Sequence, residues 1–347
     1  MNLINKINEY IDNGRIVFLS GAGCSKDSPS NLPLGNQVIQ DLVDFSCIEG
    51  EKKDLKEQLH RKLRFEHFMQ LFTNYIDPEI NALNFFTQCH SPNFQHCFLA
   101  EAIKKRNYVM TTNFDNLIEY ALQNQGIPKE NIYPLIFKKD YSSFNEASEV
   151  PQERNYPIIK LHGSITNFRN KNSTKESLIF NIETLGKEKN LSNLRTLKSY
   201  KVDFLRKILK NHYLVVLGYS GADDFDIIPT LKRLRNFKGI IWLKHNSIQN
   251  EVKIQEIKCS NKSQKPIPDP IYKFLYDLKD FNNECEIFII EGQTSLVLKQ
   301  IKKVKFLQKP NKFNLDFKNW VQDNIKKPNI LQSQFLTEKI YLDLNLF

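Results

Sequence analysis

The stretch Arg15–Ser25, R-I-V-F-L-S-G-A-G-C-S, constrains the fold more than any other part of the chain. Ile16-Val17-Phe18-Leu19 is an unbroken apolar run, the pattern of a strand covered on both faces within a parallel sheet. It leads straight into Gly21-Ala22-Gly23. Two glycines permit a sharp turn and let a phosphate approach the backbone with no Cβ in the way. A helix directly afterwards would aim free N–H groups and its dipole at that phosphate. The dinucleotide fingerprint G-x-G-x-x-G places a third glycine three residues after the second, and here that position is Lys26. Alone, the loop also reads as a plain tight strand-to-helix turn.

The rest of the chain repeats the strand-then-helix pattern. Apolar runs at Tyr108–Thr112, Ile132–Phe137, Pro157–Leu161, Tyr213–Leu217, Gly239–Leu243 and Cys285–Ile290 predict six further strands. Met1–Asp12 predicts an amphipathic helix with Leu3, Ile4, Ile7 and Ile11 on one side. Further helices are expected after Pro33, from Leu117, around 190–211, from about Asp223, over Ile271–Leu278 and from Gly292 to about Lys305. Residues 51–106 read as helical throughout, too long for an ordinary crossover and therefore a helical insertion of about 48–106. Lys138–Tyr156 and 246–268 are polar and read as loops. Alternating strands and helices specify an α/β fold, a Rossmann-like parallel sheet with helices on both faces and the insertion after the first strand. Ligands of such sheets sit outside the carboxyl ends of the strands. This catalytic domain is expected to span 1–305, followed by a tail over 306–347.

Composition excludes several classes. With 41% hydrophobic and 25% charged residues, the 347-residue chain can build a substantial core. No apolar run approaches the roughly 18–20 residues of a membrane span, and no signal-peptide h-region is present, which predicts a cytoplasmic protein. Six cysteines form no C-x-x-C pair, so no metal is expected. The net charge of +10 is uneven, with ten lysines against four acids from Lys299 onward. The body is left too weakly basic for a general nucleic-acid surface. The tail turns apolar at Ile330-Leu331, Phe335-Leu336, Ile340-Tyr341-Leu342 and Leu344–Phe347. At about 25 cal/mol per Å², burying these groups is worth several kcal/mol. They are expected to pack either on the chain's own insertion or on another subunit or partner, which would make the tail a docking segment.

Four strand ends carry polar or glycine-rich groups: Gly21-Ala22-Gly23-Cys24-Ser25, Thr111-Thr112-Asn113-Phe114-Asp115, Leu161-His162-Gly163-Ser164 and Gly218-Tyr219-Ser220-Gly221-Ala222-Asp223. Singly, each has an ordinary explanation. Asn113, Asp115 and Asp223 suit helix N-caps, His162 a satisfied core histidine, and Gly218 and Gly221 a turn.

As an ordered set they resemble the sirtuin superfamily, whose members carry G-A-G-x-S, T-x-N-x-D, L-H-G and G-x-S in this order. The chain departs from the deacylases in lacking their four zinc-binding cysteines and in having Leu32-Pro33-Leu34-Gly35 where they carry D-F-R-G. It is more similar to the sirtuin-like domains of bacterial antiphage defence systems. The resemblance implies hydrolysis of NAD to nicotinamide and ADP-ribose, with NAD as substrate. It implies catalytic roles for Asn113 and His162, a pyrophosphate loop at Gly21, Ala22, Gly23 and Ser25, and adenosine-side contacts from Gly218, Ser220 and Asp223. Asp115 either orients the nicotinamide amide or caps its helix. A homo-oligomer or a partner protein of a defence system would restrain such an activity, with nucleic acid involved only indirectly and no membrane. Deacylation, ADP-ribosyl transfer and a non-catalytic nucleotide-sensing module remain alternatives.

Overall fold

The computed structural model describes residues 3–62, 64–147, 155–179, 197–221, 226–234, 237–247, 251–259, 269–304 and 311–345. Its centre is an eight-stranded sheet: β1 (Ile16–Ser20), β2 (Tyr108–Thr111), β3 (Ile132–Leu135), β4 (Tyr156–Lys160), β5 (Tyr213–Leu217), β6 (Gly239–His245), β7 (Lys253–Glu256) and β8 (Glu286–Gly292). The order is β3-β4-β2-β1-β5-β6-β8-β7. Every pairing is parallel except β7 with β8. The chain winds to one side of β1 through β2 and β4, then to the other through β5, so the crevice above β1 and β5 is the topological switch point. Register brings Ser20, Thr111, Lys160 and Leu217 level at one edge.

The continuous apolar run of β1 exists because both faces are covered. Val17 and Leu19 pack with Leu214, Val216 and Trp242 under the helices Ser199–Leu209, Ile227–Leu234 and Pro270–Phe281. Ile16 and Phe18 pack on the other face with Val215 and Leu217 against the helices Leu3–Asp12, Phe94–Lys104, Leu117–Asn124 and Thr294–Ile301. Ile4, Ile7 and Ile11 are the buried stripe of the first helix, as its periodicity predicts.

A third core lies outside these layers. It joins the helices Gly35–Ser46, Lys52–Lys62 and Phe65–Tyr75 and a 3₁₀ turn at Ala82–Thr87 to two helices of the tail, Phe317–Asn324 and Ile330–Asn345. The tail's Phe313, Phe317, Val321, Ile325, Leu336, Ile340 and Leu344 are buried there, whereas Ile330, Leu331, Phe335 and Leu342 are exposed.

Several local expectations are corrected. The insertion is not helical throughout, because Asp77, Pro78 and the 3₁₀ turn interrupt it. Lys138–Ala147 is a helix rather than a loop. Its polar sequence hides two anchors: the buried Tyr141, whose ring stands edge-on to Phe204 at 5.3 Å, and Phe144, whose ring meets the same Phe204 at 5.8 Å. Residues 246–268 contain β7, whose four residues are all exposed, so that no apolar alternation betrays it. The glycine loop leads into one 3₁₀ turn, Ala22–Ser25, and the next α-helix starts only at Gly35. Pro29 and Pro33, lacking N–H donors, fall in the intervening stretch. Asp223 and the start of its expected helix lie outside the described residues.

Candidate active site

The strand ends and the insertion enclose a cavity of about 540 Å³, within the usual range of ligand clefts, about 300–1,000 Å³. Ala22, Gly23, Ser25, Asn113, Asp115, His162, Gly218 and Ser220 line it from the sheet side. Phe65 and Phe86 face them from the insertion, with Leu34 from just ahead of the helix Gly35–Ser46. Eight of the residues singled out from sequence thus meet at one cavity. Gly21 lies beneath it and holds Asn113 through its carbonyl.

The glycines are required by the packing of the loops themselves. Gly21 N–H donates to Leu217 O at 3.1 Å and Gly23 N–H to Gly218 O at 2.8 Å. A Cβ on Gly21 would stand 2.6 Å from Gly218 O, and one on Gly218, whose φ is +60°, would stand 2.4 Å from Cys24 N. The loops after β1 and β5 therefore press backbone to backbone. Glycine is required by that contact, and these two N–H groups already have protein partners.

A buried network organises the half of the cavity below β2. Asn93 caps the helix Phe94–Lys104, and its N–H donates to His96 Nδ1 at 3.1 Å. Nδ1 is thus an acceptor, which puts the imidazole proton on Nε2. Nε2–H then donates to Ser25 Oγ at 3.2 Å, and Ser25 donates to Asp115 Oδ2 at 2.8 Å. Burial pushes the His96 pKa down to about 4, keeping the ring neutral. Asn113 Nδ2 donates to Gly21 O at 3.2 Å and Ser25 Oγ at 3.1 Å. Its amide hydrogens are thereby engaged, which leaves Oδ1 as the acceptor it offers the cavity. The other carboxylate oxygen of Asp115 accepts from Leu117 N–H at 3.1 Å, so Asp115 holds both the start of the following helix and Ser25.

His162 follows β4. Its Nε2 lies 3.1 Å from Asp226 Oδ1, a carboxylate only 3% exposed. An ionised carboxylate only accepts, so Nε2–H donates to it and Asp226 fixes the orientation of the ring. The next residue, Gly163, has φ +81°, and a Cβ there would fall 2.3 Å from Ser177 O. The turn that aims His162 therefore requires glycine.

Sequence reasoning missed His96, Asn93 and Asp226. Asn93 Nδ2 donates to Cys24 O at 2.7 Å and Gln95 Nε2 to Asp27 Oδ2 at 2.9 Å, so three polar side chains at the start of one helix hold the glycine loop. The available signal was Asn-x-x-His opening an otherwise apolar helix just after Pro92. Among the described residues no group of three or more His, Cys, Asp or Glu could hold a metal ion, and no helix is long and apolar enough to cross a membrane.

Against known proteins, the chain has no match among curated sequences. Its fold is similar to that of a solved Sir2 mutant–p53 peptide–NAD structure, at 16% identity over 70% of this chain and 86% of that one, with a TM-score of 0.32. Residues 107–258, from the start of β2 to just beyond β7, match the family profile of the SIR2-like domain.

Proposed function

We propose that this cavity hydrolyses NAD to nicotinamide and ADP-ribose. The observation that carries the reading is the convergence of Asn113, the Ser25–Asp115 pair and the His162–Asp226 dyad on one cleft at the sheet's switch point. The SIR2-like match over 107–258 supports an NAD-using site.

The bond that breaks joins the ribose C1′ to the nicotinamide nitrogen. Nicotinamide leaves neutral with the electron pair, and positive charge develops on the ribose. A water oxygen then bonds to C1′ and gives up one proton. Asn113 Oδ1 positions a ribose hydroxyl or that water, and His162 accepts the proton while Asp226 holds the ring and supports its charge. The Asp115 carboxylate adds a fixed negative charge on the side where the cation forms. Phe86 and Phe114, with ring centroids 6.5 Å apart, give the cleft an apolar wall. Depletion of NAD in antiphage defence, restrained by assembly or a partner protein, is the physiological role we assign from the motif resemblance.

The test is release of free nicotinamide from NAD, followed chromatographically. Asn113→Ala and His162→Ala are each expected to lower the rate on the order of 10²–10⁴ while leaving the fold intact. Near-wild-type turnover by either variant would remove that residue from the mechanism. Nicotinamide release only in the presence of an acylated or acceptor protein would replace hydrolysis with deacylation or transfer.

A further inference from the structure

Below the Asn113–Asp115 segment lies a charged pair that the proposed chemistry does not use. Lys160, the last residue of β4, is 1% exposed, and Glu119, on the helix Leu117–Asn124, is fully buried. Lys160 Nζ lies 3.3 Å from Glu119 Oε1. Its shorter contact is elsewhere: Nζ donates to the main-chain carbonyl of Asp115 at 2.5 Å. Burial raises the pKa of Glu119, and the ammonium beside it opposes that shift.

Buried ion pairs are poor stabilisers, because removing two charges from water costs about what their attraction returns, and apolar replacements of similar volume are often neutral or better. A hydrophobic pair would suit the helix-to-strand contact at this position. What an apolar pair cannot provide is a cationic donor to Asp115 O. That carbonyl belongs to the irregular stretch between β2 and its helix, where no sheet or helix ladder fixes the backbone. The same stretch aims Asn113 Nδ2 at Ser25 and the Asp115 carboxylate at the same hydroxyl.

Resting on the NAD-cleavage reading, we propose that Lys160 is a positioning residue. It clamps the Asp115 carbonyl so that Asn113 and Asp115 keep their catalytic geometry, and Glu119 is the counter-charge that makes a buried ammonium tolerable. The register supports this assignment. Lys160 stands level with Thr111, whose hydroxyl accepts from Asn113 N–H at 3.0 Å, so the 113–115 segment is gripped at both ends. The clamp acts on the reacting geometry rather than on nucleotide affinity, because the Gly218–Ser220 side of the cleft is on other strands.

The test uses the full chain carrying Lys160→Met with Glu119→Leu, which removes both charges and leaves neither stranded. Folding, read by thermal unfolding, is expected to be retained. The expected kcat for NAD is about 10²-fold lower, the cost of displacing a catalytic group by about 1 Å, with KM changed less than about threefold. Glu119→Gln keeps the ammonium on Asp115 O, and its kcat loss is expected to be at least about tenfold smaller even though it strands a charge and lowers the melting temperature. A folded double variant with wild-type kcat would overturn the clamp, as would an equal kcat loss in Glu119→Gln. A crystal structure of whichever Lys160→Met variant folds, the single or the double, separates this from failure of the NADase reading. Asn113 Nδ2 is expected to leave Ser25 Oγ whether or not the wild type cleaves NAD, and an unmoved Asn113 would refute the clamp independently of turnover.

Discussion

Acid should weaken this fold through His96. The ring is buried and its pKa is pushed from the ordinary 6.5 down to about 4. The folded value lies below the unfolded one, so the unfolded chain takes up the proton first. Stability from this residue is complete above about pH 6.5 and falls as the pH drops toward 4. At about pH 5 the loss is about 2 kcal/mol, rising to about 3 kcal/mol below pH 4, from 1.36 kcal/mol per pKa unit. Geometry gives the same answer independently. Protonation would turn Nδ1 from an acceptor into a donor facing the Asn93 N–H only 3.1 Å away, opening the capping box that holds the glycine loop. The assay is urea unfolding followed by Trp242 and Trp320 fluorescence at about pH 7.5 and pH 5, comparing wild type with His96→Gln. The variant is expected to be weaker at pH 7.5 but to lose about 2 kcal/mol less on acidification. Parallel losses, within about 0.5 kcal/mol, would show that His96 is not held neutral by burial.

Phe317→Ala should cost about 3–5 kcal/mol in chemical denaturation, because its ring fills the insertion core 5.1 Å from Phe85; a loss below about 1 kcal/mol would mean that the tail is not part of that core. Gly218→Ala should lose at least about 1–2 kcal/mol from its positive φ alone and weaken NAD binding in calorimetry by separating the two loops; wild-type affinity would contradict the tight loop contact. Dialysis against a chelator should leave the melting temperature unchanged and no stoichiometric zinc on elemental analysis, and zinc retained at one per chain would overturn the metal-free reading.

Much of this architecture is legible in the chain because strands buried on two faces leave continuous apolar runs. Ile16–Leu19 and Tyr213–Leu217 need no context to be read. β7 is illegible for the opposite reason: Lys-Ile-Gln-Glu at an exposed edge buries nothing, and only its ladder with β8 makes it a strand. The cleft is legible as far as its residues sit at strand ends, which is how Asn113, Asp115 and His162 come into view. His96, on the helix Phe94–Lys104, and Asp226, just ahead of the helix Ile227–Leu234, hold cleft residues from different sides of the sheet. Their pairing with Ser25 and His162 is a long-range contact that no local periodicity encodes. The glycines were found for one reason and are needed for another, since loop-to-loop contact and ligand approach demand the same missing Cβ.

The insertion's dependence on the tail sets an order of events during synthesis. Asn31, Ile48 and Tyr75 bond to Phe313, Thr337 and Gln332, partners made between 257 and 289 residues later. Such contacts close slowly and only after the whole intervening chain has emerged. At about 5–20 residues per second, the sheet's strands are all translated while the wall bearing Leu34, Phe65 and Phe86 still lacks about a quarter of its core. The cleft is therefore finished last. On the proposed NAD-cleaving reading, this topology withholds a competent cleft until the helices Phe317–Asn324 and Ile330–Asn345 have docked.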